Sequence, residues 1–216
     1  MDYRPSQIDE VDKWEEVQLV YNAALRQMKT KLETLDQEFA LNNKYNPIEH
    51  IEARMKSSES IVKKLKKNGY ESTIENMVER VNDIAGVRVI CSFTSDIYRI
   101  ADILSAQRDI EILSVKDYYK NPKPSGYQSY HMIVKVPVYL CERVVSVKVE
   151  IQIRTVAMDF WATLEHKIRY KFEGNAPRHI KESLVECARM VSALDDEMLC
   201  LNEEILRIIS DMDARK

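Results

Sequence analysis

The sequence predicts a mixed α/β fold: a β-sheet flanked by helices, with long helices at the N- and C-terminal ends. Three observations carry this. Apolar residues recur at steps of three or four near both ends of the chain, the middle switches to the two-residue alternation of strands, and a helical stretch separates the first two strand-like runs. With 216 residues, 45% hydrophobic content, and only 4 Gly and 6 Pro, the chain can bury one sizeable core without long linkers.

Trp14, Val17, Tyr21, Leu25, Met28, Leu32, Leu35 and Phe39 predict one long amphipathic helix, or two in line, ending before the breaker "NNKYNP". A second helix is expected from about Pro47, which suits a first helical turn, to "KKNG", where Gly69 can supply a left-handed cap. A short helix follows near 72–81. Strands are expected at 86–93, 110–115, 130–138 and 144–154, all rich in β-branched residues. Between the first two, Ser95 should cap a helix with Ile97, Ile100, Ala101 and Leu104 on one face. Pro137 points to a strand ending at, or lying along, a sheet edge. "TVAMDFWATLEHKIRYKF" returns to helical period, and "NAP" opens a last helix. Its seam of Ile180, Leu184, Cys187, Val191, Leu194, Met198, Leu201, Ile205, Ile208 and Met212 runs for about four heptads, which calls for packing on the N-terminal helix or between subunits. The helical N-terminal part thus covers about 8–82, the sheet core about 83–154 and the C-terminal helices about 155–213, within a single domain of residues 1–216.

Lys and Arg number 32 against 35 Asp and Glu, a net charge of -3, which excludes a global basic field for nucleic acid. Cys91, Cys141, Cys187 and Cys200 show no CxxC pairing and read as buried thiols of a reducing compartment rather than a zinc site. No apolar leader and no run of about 18 apolar residues is present, so a cytoplasmic protein without membrane contact is expected.

Three polar clusters carry candidate chemistry. Lys56, Ser60, Lys64 and Lys67 fall at helical spacing and could grip phosphates, or form a solvated basic face. In "NDIAGVR", Asp83 precedes a strand, Gly86 allows close backbone approach, and Arg88 inside the strand needs a partner or an exposed face. The loop "KNPKPSGYQSYH" gathers Lys120, Lys123, Tyr127, Tyr130 and His131, where Tyr can stack on a base and Lys can pair with phosphate. The strand "VKVEIQIR" puts Val147, Val149, Ile151 and Ile153 on one face and Lys148, Glu150, Gln152 and Arg154 on the other, which either meets water or lines a site. Asp83 and Glu150 converging at a sheet edge would suit Mg²⁺, and phosphoryl or pyrophosphoryl transfer follows as the reaction class. No Walker-type loop exists, which disfavours a P-loop kinase.

"NDIAGVRVICSF", "PKPSGYQSYH", "VEIQIRTVAMDFWATLEHK" and "NPIEHIEARMKSSESIVKKL" together resemble the small alarmone synthetases of the RelA/SpoT family, most like the RelP-type subgroup. The resemblance implies a nucleotidyltransferase-like α/β fold, a homotetramer, and Mg²⁺-dependent transfer of pyrophosphate from ATP to the 3′-hydroxyl of GTP or GDP. It implies that Arg54 and Arg88 flank adenine and that Lys56, Ser60, Lys64 and Lys67 hold ATP phosphates. Asp83 and Glu150 would bind the metal, Glu150 also being a candidate base. Tyr127 would stack on guanine, Lys116, Lys123 and His131 would meet the acceptor's phosphates, and Gln152, Asp159 and Glu165 would lie near its sugar or base. The chain lacks the His-Asp dipeptide of the family's hydrolase domain, so synthesis without hydrolysis is expected, with no obligatory ribosome or nucleic acid. His50 and Ala53 stand where RelQ-type enzymes carry Phe and Gly in a segment that helps bind an activating alarmone. Two alternatives stay open: a relative serving another acceptor, such as an adenine nucleotide or tRNA, and a non-catalytic nucleotide- or RNA-binding module.

Overall fold

The computed structural model describes residues 8–42, 45–172 and 175–214, and leaves out the side chains of 8–12, 42 and 213. Asn43 and Lys44 of the expected breaker lie outside the described residues. Helix α1 (Ile8–Asn42) is the long N-terminal helix, and its Tyr21, Leu25, Met28, Leu32 and Phe39 are buried.

The second element corrects the helix expected from Pro47. Residues Ile48–Met55 form strand β1, and helix α2 begins later, at Ser58–Lys67, with the Ser57 hydroxyl accepting from Ser60 N–H. From His50 onward the exposure of β1 alternates residue by residue, with Ile51, Ala53 and Met55 turned inward. Backbone pairing with the next strand outweighs the helix-start signal of Pro47. Lys56 therefore lies before α2 and not on the basic helical stripe. Gly69 does adopt a positive φ, 77°, just after the helix.

Helix α3 (Ile74–Arg80) leads into β2 (Ala85–Cys91), α4 (Thr94–Ser105), β3 (Glu111–Asp117), β4 (Tyr130–Tyr139) and β5 (Val144–Thr155). Ser95 sits inside the first turn of α4 and does not cap it; the Asp96 carboxylate accepts from Phe93 N–H instead. The sheet order is β1-β2-β5-β4-β3, with β2 and β5 parallel and every other pair antiparallel. The crossover through α4 thus passes over two strand positions before β3. Strand β4 is interior, but its pairing with β3 stops at Lys135, so Pro137 lies where β4 is locally an edge.

Val87, Val89, Met132, Val134, Val149, Ile151 and Ile153 form the apolar face of the sheet, in one core with α1 and α4. Burying this many branched side chains at roughly 1.5–3 kcal/mol each is what fixes the register, because a one-residue slip would turn them all to the other face.

Helix α5 (Val156–Lys171), capped by the Thr155 hydroxyl, and helix α6 (Arg178–Asp213) complete the chain. Among the described residues helix α6 packs on α5 and α4 rather than on the N-terminal helix. Its inward face uses Leu184, Ala188, Val191 and Asp195, so the expected seam shares only its early members, and Leu194, Met198, Leu201, Ile205, Ile208 and Met212 are exposed. Three of the four cysteines also differ from expectation: Cys91 is buried as expected, whereas Cys141, Cys187 and Cys200 are exposed.

Candidate active site

Because the odd-numbered residues of β5 enter the core, Glu150, Gln152 and Arg154 share the opposite face. The pairing then assembles that face in two rows. Arg54, Gly86, Glu150, Ile133 and Ser114 are successive neighbours across all five strands, and Glu52, Arg88, Gln152, His131 and Lys116 form the next row. A Cβ on Gly86 would lie 3.8 Å from the Arg54 carbonyl oxygen, an ordinary contact. Gly86 therefore permits no unusual backbone approach, and leaves the face bare instead.

Two cavities open on this surface. One of about 170 Å³ is lined by Glu52, Arg54, Asp83, Gly86, Val87, Arg88, Glu150 and Gln152. The other, about 450 Å³, is bordered by Lys64, Asp83, Lys116, Lys123, Tyr127, His131, Glu150, Gln152 and Glu165 among others. Asp83, Glu150 and Gln152 border both.

Asp83 is held by two cations, Lys56 Nζ at 2.9 Å from Oδ2 and Lys64 Nζ at 2.7 Å from Oδ1. Burial pushes its carboxyl up, but the hydrogen bonds and charges of Lys64 and Lys56 outweigh this and hold it below the usual carboxylate range. Glu150 follows the same logic. Burial and the Asp83 charge raise it, while the hydrogen bond and charge of His131 and the Gln152 amide bring it below normal. Both groups are thus kept ionised at neutral pH, and Glu150 feels the charge of Asp83. Two ionised carboxylates bordering one space supply the hard oxygen donors Mg²⁺ takes, with phosphate and water left to complete its shell, so this donor set fits that ion.

The loop between β3 and β4 forms the far wall. Gly126, at φ 87°, closes a turn in which its N–H donates to Lys123 O at 2.8 Å and Lys123 N–H donates to Tyr127 O at 3.1 Å. The turn brings Lys123 Nζ to 4.4 Å from the Tyr118 ring centroid and 4.5 Å from that of Tyr127, while His131 meets both rings edge-on. Burial, together with the charges of Lys116, Arg154 and Arg169, lowers the Lys123 pKa; Glu150 opposes that shift. A base stacking on Tyr127 would take the place of this ammonium or the ring's other face.

Of the residues expected from sequence, Arg54 and Arg88 line the smaller cavity, and Lys116, Lys123, Tyr127, His131 and Glu165 line the larger. Ser60 and Lys67 are exposed on α2 and border neither; Ser60 completes the helix cap with Ser57. Asp159 also stands outside both linings, its Oδ1 taking Arg154 Nη1 at 2.9 Å and Arg88 Nη1 at 3.3 Å. Lys148 proves to be a tie between elements, donating to Glu79 O at 2.7 Å and Asn82 Oδ1 at 2.9 Å. Tyr118, Asn82 and Arg169 line the larger cleft without having been singled out. Arg169 had a legible signal, since it follows Glu165 by one helical turn and pairs with it at 3.6 Å. Tyr118 had none, because its role depends on how the loop folds back.

The chain resembles known proteins in both sequence and fold. Residues 53–175 match the family described as "Region found in RelA / SpoT proteins". The chain is 48% identical over 195 residues to GTP pyrophosphokinase YwaC of Bacillus subtilis, covering 90% of this chain and 93% of that protein. Among solved structures, small alarmone synthetase 2 of B. subtilis superposes with a TM-score of 0.81 at 47% identity, covering 89% of this chain and 99% of the other. Small alarmone synthetase 1 of B. subtilis, solved bound to its product pppGpp, gives 0.83 at 35% identity, covering 89% and 98%.

Proposed function

The chain belongs to the RelA/SpoT family as a small alarmone synthetase, and on that premise we propose that the cleft moves pyrophosphate from ATP to the 3′-hydroxyl of GTP or GDP. AMP is released, and the guanosine penta- or tetraphosphate is formed. The protein is a GTP pyrophosphokinase. The observation that supports this chemistry is the shared wall: a donor in the smaller cavity and an acceptor in the larger one would meet at Asp83 and Glu150.

In this reading Arg54 and Arg88 flank the adenine, and Lys56 and Lys64, already beside Asp83, turn to the ATP phosphates. Lys116, Lys123 and His131 receive the acceptor's phosphates, Tyr127 its base, and Gln152 and Glu165 its sugar or base. Ser60 and Lys67, spaced along the face of α2 that carries Lys64, extend the grip on the ATP phosphates, and Asp159 lies near the acceptor's sugar or base. The acceptor's 3′-oxygen bonds to the β-phosphorus of ATP as the link between that phosphorus and the α-phosphate oxygen breaks, so AMP leaves with the bonding electrons. Glu150, kept ionised, takes the hydroxyl proton. Asp83 and Glu150 would hold Mg²⁺, which when bound offsets the charge of the phosphate oxygens. Positioning and charge neutralisation supply most of the catalysis.

The chain acts as one synthetase domain without hydrolase activity, in the cytoplasm, with no need for a ribosome, nucleic acid or membrane. Among the described residues no helix is long and apolar enough to cross a membrane. The exposed apolar seam of α6 favours a homotetramer built through the terminal helices.

Glu150→Gln keeps the shape of the site and removes the base. It should abolish AMP and alarmone formation from ATP and GTP while leaving the circular dichroism spectrum unchanged, and full activity would refute the assignment. Offering labelled ATP together with GTP, GDP, an adenine nucleotide or tRNA identifies the acceptor by where the label goes.

A further inference from the structure

Arg154 lies on the polar face of β5, one position beyond Ile153, the last β5 residue paired with β4, where Ile153 faces Tyr130. The sheet there gives way to the loop carrying Tyr127, and Arg154 is only 5% exposed. Its Nη2 donates to Tyr127 Oη at 2.6 Å and to Gln152 Oε1 at 2.9 Å, and its Nη1 donates to Asp159 Oδ1 at 2.9 Å.

An arginine can only donate, so it dictates what its partners do. Gln152 must turn its carbonyl oxygen toward Arg154, which sends its amide nitrogen to Glu150 Oε2 at 2.8 Å. Tyr127 accepts from Arg154 and keeps its own proton for His131 Nε2, 2.9 Å away, when that ring is neutral. The other nitrogen of His131 lies 3.2 Å from Glu150 Oε1. Two branches leaving one guanidinium therefore end on the two oxygens of the same carboxylate. Among the described residues the Arg154 Nε, also buried, has no hydrogen-bond partner, so the guanidinium is held through its two Nη groups.

We propose that Arg154 is a positioning residue for the acceptor nucleotide, fixing the Tyr127 ring and the Gln152 amide so that both present one geometry to the guanine side. This rests on the pyrophosphokinase reading above. The donor side is touched less directly, through Asp159, which also meets Arg88 at 3.3 Å, and through Gln152, which borders both cavities.

The test is steady-state kinetics with ATP, GTP and Mg²⁺ for wild type, Arg154→Met, Arg154→Lys, Tyr127→Phe, and Arg154→Met combined with Tyr127→Phe. Arg154→Met should raise KM for GTP about tenfold or more, the usual size for a lost charge-assisted hydrogen bond, with KM for ATP moving less than about twofold. Arg154→Lys, still a pure donor, should recover part of the loss. In the Tyr127→Phe background the effect of Arg154→Met on KM for GTP should shrink, because the bond it breaks is already gone. Equal rises in both KM values, or additive effects in the double variant, overturn the proposal while the wild type's turnover leaves the pyrophosphokinase reading intact. A wild type that makes no product from ATP and GTP overturns both. If Arg154→Met shows no cooperative melting transition, the selectivity of Arg154→Lys and Tyr127→Phe for KM of GTP over ATP decides.

Discussion

Replacing Gly126 with alanine tests how the acceptor loop is held. Two penalties can be worked from the structure. At φ 87° an alanine enters the left-handed region, which costs roughly 1–2 kcal/mol. Its Cβ would also stand 2.4 Å from the Cβ of Ala188 on α6, with Val185 Cα at 3.7 Å and Trp161 Cζ2 at 3.8 Å behind it. Overpacking of this kind costs about 1–3 kcal/mol. Reduced freedom of the unfolded chain returns about 0.4–1 kcal/mol. The net loss is about 3 kcal/mol, which should lower the urea midpoint by about 1 M or more. Because the same turn spaces Lys123 and Tyr127, any relief by loop movement should appear as a higher KM for GTP. Ala188→Gly supplies the internal control. It removes the clash but not the strain, and costs about 0.5–1 kcal/mol itself as a helical glycine, so it should rescue only part of the Gly126→Ala loss. A Gly126→Ala variant with wild-type stability and KM would refute the placement of this loop against α6.

Asp195 is buried and accepts from the Thr155 hydroxyl at 2.6 Å, and burial raises its pKa. A raised carboxyl costs the fold stability above its folded pKa and nothing below its unfolded one, so Asp195→Asn should match or exceed wild-type stability at pH 8, with the gap closing toward pH 4 in urea titrations. Asp83 and Glu150 run the other way. Their depressed pKa values contribute stability that is complete above their unfolded values near 4, and it is lost as pH falls through the folded ones. Replacing Asp83 with asparagine should therefore flatten the acid side of the stability profile, and an unchanged acid side would contradict the double lysine clamp. Chelation with EDTA should stop AMP release and added Mg²⁺ should restore it; turnover persisting in EDTA would remove the metal role of the two acids.

The exposed seam of α6 illustrates how far a periodic pattern reaches. The heptads correctly foretell a helix that packs, yet the face that meets α5 and α4 centres on Ala188 and Asp195, residues that a search for large apolar side chains passes over. Short contact with the Gly126 turn needs a small residue at Ala188, and the Thr155 cap is tied down by the Asp195 carboxylate. Neither requirement has a local signal. The strand β1 was hidden for a related reason: its pairing partner lies thirty or more residues away, while Pro47 and the following charged residues resemble a helix start.

What the sequence determined by itself is everything set by near neighbours along the chain: the long terminal helices, four of the five strands, the polar face of "VKVEIQIR", and, through its motifs, the family. Alternation alone obliges Glu150, Gln152 and Arg154 to share a face once the intervening isoleucines are buried. The tertiary structure decided who meets that face. Strand order set Arg88 and His131 on either side of Gln152, the turn at Gly126 brought Tyr118 and Tyr127 around Lys123, and the end of β4 left Arg154 free to reach the Tyr127 hydroxyl. Apart from the local turn at Gly126, those contacts join residues distant in the chain, and no spacing along the sequence encodes them.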